Sequence, residues 1–173
     1  MDNWRIVEAQ EKYCKSHCEN INAVSFEGKY LSTNNGFSLT EIVAFYRYCE
    51  ERGYPQFYVI DENERVVGWC DIVEREGWGS DVGFIGIGLA PEYRDKGIGT
   101  KLMKHAMAVA YWRGFRTIRL DCRASNKRAL HVYKKLGFRR EWLNRSKLVL
   151  DGQNIPLVCM VKRLRKEDAY TEE

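Results

Sequence analysis

At 173 residues, 45% of them hydrophobic and 30% charged, the chain is long enough to bury about 70% of its unfolded surface in one domain without disulfide or metal staples. Its six cysteines are scattered, it begins without a basic-then-apolar leader, and its longest apolar helical run (106–112) is far short of a membrane span. These features lead us to expect a cytoplasmic protein with reduced thiols, no disulfide framework and no membrane anchor. The net charge of +4 is unevenly spread: residues 1–93 carry 8 Lys and Arg against 16 Asp and Glu, whereas residues 94–147 carry 16 against 3. The basic part suits a polyanionic ligand and the acidic part a cationic one.

In chain order, residues 4–9 alternate as a first strand, and 11–25 carry Tyr13, His17, Ile21 and Val24 at helical intervals. Residues 28–36 form a polar loop. Ser38 or Thr40 caps a second helix that runs to about Glu51, buries Ile42, Phe45, Tyr46 and Cys49, and stops at Gly53. Residues 57–60 and 66–72 flank a polar turn as an antiparallel hairpin. Residues 82–89 are almost continuously apolar with three glycines, as in a central strand that a ligand or another backbone approaches closely. A helix over 97–113, ended by Gly114, leads to a strand over 117–122, which makes a parallel βαβ unit. Ser125 or Asn126 caps a last helix with Ala129, Val132, Tyr133 and Leu136 on one face. Two closing strands, about 138–150 and 155–162, turn at Asp151 and Gly152. The charged tail after Leu164 is expected to fray. With no repeat or linker, the reading is one α+β domain over 1–173, its core at about 4–162.

The stretch from Gly86 to Met103 organises the chain: a strand, a turn at Pro91, and a loop whose glycines, Gly97 and Gly99, open a helix. A helix start leaves about four N–H groups unpaired and carries roughly half a positive charge, so a pyrophosphate suits it. Arg94, Lys96 and Lys101 add cations. The third glycine of a dinucleotide fingerprint would fall at Leu102 and is absent, and no P-loop pattern occurs.

With these elements in this order, the chain resembles the GNAT superfamily of acetyl-CoA-dependent N-acetyltransferases. The family pattern Q/R-x-x-G-x-G/A is met by Arg94, Gly97 and Gly99; its later pattern is met by Asn126, Ala129, Tyr133, Gly137 and Phe138. The resemblance implies a mixed, mostly antiparallel central sheet with a splayed parallel strand pair, flanked by helices. It implies that backbone groups of Ile87 and Leu89 pair with the pantetheine arm of acetyl-CoA and that one of their N–H groups holds the thioester oxygen. The loop of Arg94, Asp95, Lys96, Gly97, Ile98, Gly99 and Thr100 would hold the pyrophosphate, Asn126 would contact the cofactor, and Tyr133 would serve the departing sulfur as acid. An amine of pKa about 10 must lose a proton before it attacks, so a base is needed. Glu27 and Asp81 are the candidates, with a base acting through water as the alternative.

The function implied is transfer of acetyl from acetyl-CoA to a primary amine, on a small cationic compound, an amino compound or a protein N-terminus, by direct attack in a ternary complex. The competing readings are a catalytically silent acyl-CoA binder and a nucleic-acid module using the basic segment; the latter lacks interleaved aromatics. Cys14, His17 and Cys18 have chelating spacing but no second pair, so no metal is expected. Cys122 reads as a buried thiol rather than an acyl carrier. The sequence leaves open the acceptor and whether a homodimer forms through the closing strands.

Overall fold

The structure, a computed structural model, describes residues 3–170. Seven strands form one sheet in the order β1-β2-β3-β4-β5-β7-β6. These are β1 (Trp4–Glu8), β2 (Gln56–Asp61), β3 (Val66–Val73), β4 (Val82–Leu89), β5 (Thr117–Arg123), β6 (Arg139–Leu150) and β7 (Gln153–Arg163). Every neighbouring pair is antiparallel except β4 and β5. The mixed sheet with one parallel pair is the architecture the resemblance implies.

Helices cover both faces. α1 (Cys14–Phe26) and α2 (Leu39–Arg52) lie over Tyr58, Ile60, Val66 and Trp69, while α3 (Ile98–Trp112) buries Ile98, Leu102, Met103, Ala106 and Ala110 against Val59, Cys70, Ile72 and Ile118. Burying each of the larger aliphatic side chains stabilises the fold by roughly 1.5–3 kcal/mol. α4 (Lys127–Lys135) follows β5. Between the two candidate caps of α2, the structure uses Ser38: its hydroxyl accepts from the Glu41 N–H, and the Glu41 carboxylate accepts from the Ser38 N–H at 2.7 Å, a reciprocal capping box. Gly53, at φ 65°, ends that helix in the left-handed conformation a glycine adopts readily.

Two expectations need correction. Helix α1 starts at Cys14 rather than residue 11, because Glu11–Tyr13 forms a single 3-10 turn first. The tail does not fray as far as Tyr170: Leu164 and Ala169 are buried, the Trp112 indole donates to the Ala169 carbonyl at 3.1 Å, and Lys162 pairs with Asp168 at 2.9 Å. The few apolar residues among the tail's charges close over the end of α3.

Candidate active site

β4 and β5 pair only over Val82–Phe84 against Thr117–Arg119. Beyond that point β3 holds β4 as far as Leu89 and β7 holds β5 as far as Arg123, so the two strands part. The wedge between them is a cleft of about 480 Å³, within the usual range for a small-molecule site. Ala90 gives its N–H to Val67 of β3 at 2.8 Å. Backbone polarity alternates along an extended strand, so Leu89 and Ile87 turn their amides and carbonyls into the wedge. The Leu89 carbonyl is taken by Arg94 Nε at 3.0 Å; the rest of that edge has no strand beside it among the described residues.

The edge runs into the start of α3. Gly97 is the N-cap, at φ 75° with no side-chain cap, and a Cβ built on it meets nothing within 4 Å. The first-turn amides of α3 therefore face the cleft beside Asp95, Gly99 and Thr100, which line it. An extended arm ending in a diphosphate fits an open strand edge that leads to bare helix amides. The cations are arranged differently from the expectation. Lys101 lies over the Trp4 ring, Lys96 lines a separate depression with Asp61 and Glu92, and the Ile98 side chain is in the core, leaving its backbone to serve the loop. Arg128, bonded to Asp95 at 3.0 Å, lines the cleft instead.

Two arginines, one from each rim, hold the loop between α1 and α2 across the wedge. Arg94 pairs through both terminal nitrogens with the Glu27 carboxylate (Nη1 to Oε2, 2.9 Å) and stacks over Tyr30. Arg123, buried at the end of β5, donates to the carbonyls of Gly28 (2.7 Å) and Leu31 and to Asn34 Oδ1 (3.0 Å). Glu27 is thus engaged by a guanidinium, whose hydrogen bond holds its carboxyl below the usual range and makes it a weak proton acceptor. Asp81 lies at the far end of β4, exposed, where its carbonyl accepts from the Arg116 and Thr117 amides; it does not line the cleft. Neither of the two carboxylates that the sequence offers as bases is among the residues that line the cleft.

Tyr133 and Asn126 do line the cleft. Asn126 caps α4 through Oδ1, which accepts from the Ala129 N–H at 3.2 Å. Burial pushes the Tyr133 phenol up, with the nearby Cys122 and Cys70 thiols adding to the shift, so its proton is retained at neutral pH. Burial also pushes the Cys122 thiol up to about 12, which removes the thiolate an acyl carrier needs. Among the described residues no group of three or more His, Cys, Asp or Glu could hold a metal ion. The structure brings together Ile87, Leu89, Arg94, Asp95, Gly97, Gly99, Thr100, Asn126 and Tyr133. Sequence reasoning missed the Arg123 clamp and Asp71, a lone charge in the apolar strand 66–72 that faces Gly86 across the β3–β4 ladder. That isolated charge was the available signal.

An open strand edge feeds an uncapped helix start, and Tyr133 lines the same cleft. The Acetyltransferase (GNAT) family profile matches residues 11–138, and the chain belongs to the GNAT acetyltransferase family. The ribosomal protein bS18-alanine N-acetyltransferase of Escherichia coli (strain K12) is 35% identical over 60 residues, 35% of this chain and 40% of that protein. An N-acetyltransferase from Staphylococcus aureus Mu50 superimposes with a TM-score of 0.86 at 19% identity, over 94% of this chain and 99% of the other. A GNAT superfamily phosphinothricin acetyltransferase from Sinorhizobium meliloti, in complex with acetyl-CoA, gives 0.85 at 20% identity over 94% and 89%. At these identities the structural likeness speaks for the fold.

Proposed function

We propose that this protein, acting as one catalytic domain in the cytoplasm, transfers the acetyl group of acetyl-CoA to a primary amine by direct attack in a ternary complex. The observation that carries the reading is the unpaired edge of β4 running into the bare amides of α3. Acetyl-CoA supplies a thioester carbonyl open to attack by an amine. Ile87 and Leu89 hold the pantetheine arm as a neighbouring strand would, and one of their N–H groups steadies the thioester oxygen as charge develops there. The amides of Gly97, Ile98, Gly99 and Thr100 hold the diphosphate, joined by Arg128. Arg94 and Glu27 act as a pair that fixes the loop over the wedge. Asn126 contacts the arm near its end, and the Tyr133 hydroxyl gives its proton to the departing sulfur.

The acidic half of the chain supports a cationic acceptor, a small amine or amino compound, and the name of the bS18-alanine relative supports a protein N-terminus as the other choice. Against a nucleic-acid module, three arginines of the basic segment are spent inside the molecule: Arg94 on Glu27, Arg119 on Glu141, Arg123 on the loop. The test is acetyl-CoA turnover across a panel of amines, with calorimetric binding in parallel. Wild type is expected to turn over, and Tyr133→Phe to lower kcat about 100-fold with binding kept. Binding without turnover of any amine would make the protein a silent acyl-CoA binder.

A further inference from the structure

We infer that Asp71, on β3, is the catalytic carboxylate that takes the proton of the acceptor amine through the opening left by Gly86; the inference rests on the acetyl-transfer reading of the cleft. In the ladder, Asp71 stands opposite Gln56 on one side and Gly86 on the other. Cross-strand partners point to the same face, so the Asp71 side chain lies on the α1–α2 face, beside the bare backbone of Gly86. A Cβ at position 86 would sit 3.2 Å from Asp71 Oδ1, and Gly86 itself lines the cleft. Any other residue there would place a side chain between carboxylate and cleft.

The surroundings of Asp71 call for a donor. No hydrogen bond reaches its carboxylate among the described residues. On the same face Gln56 Oε1 and Tyr58 Oη are buried without a partner. An ammonium brings three N–H donors to a region short of them. The titratable and charged groups around the carboxylate are Arg75 beyond the end of β3, Cys49 of α2 and Tyr58 of β2, while the thiol of the adjacent Cys70 lies on the opposite face of the sheet, against α3. Arg75 is the one cation among them and is itself engaged with Asp121 at 3.6 Å. Burial raises the Asp71 carboxyl to about 7, with Arg75 lowering it only in part. A base of that strength is ionised just above neutrality and still accepts a proton.

The step balances. The Asp71 carboxylate takes one ammonium proton, and the freed electron pair on nitrogen forms the C–N bond at the thioester carbonyl carbon. The C–S pair leaves with sulfur, which takes the Tyr133 hydroxyl proton. The second nitrogen proton restores Tyr133, and Asp71 returns its own to water.

The test is Asp71→Asn, read by kcat against pH and by acetyl-CoA titration. Wild-type kcat should rise through a limb near pH 7; the variant should lose about 100-fold in kcat and the limb with it, while acetyl-CoA affinity stays within twofold. Misfolding is checked by melting. A buried carboxyl with a raised value stabilises least above that value, because folding then holds an ion the unfolded chain solvates better. The variant should therefore melt at or above wild type at pH 8. If acetyl-CoA fails to bind wild type, the reading of the cleft is lost. If wild type turns over and Asp71→Asn keeps its rate or its pH limb, Asp71 alone is wrong.

Discussion

The two ends of the β4–β5 pair differ in what completes them. At Val82–Phe84 the ladder is closed by Thr117–Arg119, with Ile118 fully buried beneath α3. Four residues further along, the same strands are apart, and the edge of Ile87 and Leu89 faces a cleft. An unpaired backbone edge is costly where water is excluded, and under the proposed function the pantetheine arm supplies the missing strand. The closed end makes stability; under the proposed function the open end makes chemistry.

That division can be broken experimentally. The largest effect is expected at the closed end, where Ile118→Ala should cost about 2–5 kcal/mol in urea unfolding and leave the KM for acetyl-CoA within twofold in the protein that remains folded. At the open end the balance should reverse. Gly97→Ala forces a side chain into a left-handed backbone at φ 75°, costing about 1 kcal/mol in stability, and should weaken acetyl-CoA binding several-fold by calorimetry. The smallest effect is expected at Cys122, which lines the cleft as a protonated thiol: Cys122→Ala should keep kcat within twofold, and an acetyl group found on Cys122 of the wild-type enzyme by mass spectrometry, together with loss of turnover in the variant, would contradict direct transfer.

Much of the fold was legible because its signals are local. Helix starts and stops at Ser38, Gly53, Asn126 and Gly114, the apolar run 82–89 and the Asp151–Gly152 turn each act within a few residues. The docked tail was not legible, since Ala169 and Tyr170 acquire a role only against Trp112, which lies 57 residues before Ala169. The site divides the same way. Gly97, Gly99, Asn126 and Tyr133 sit in patterned stretches. The carboxylates do not: Glu27 meets Arg94 67 positions away, and Asp71 gains its opening from a glycine on the next strand. Reading the cation near the loop was possible, but learning that it holds Glu27 required the fold.

Hydrogen exchange of the full-length protein, with and without saturating coenzyme A, tests the central claim most directly. The account predicts slowed exchange confined to the amides of Ile87, Leu89 and residues 97–100, with β1 and β2 unchanged. Uniform exchange in both states, with no rise in melting temperature, would contradict it.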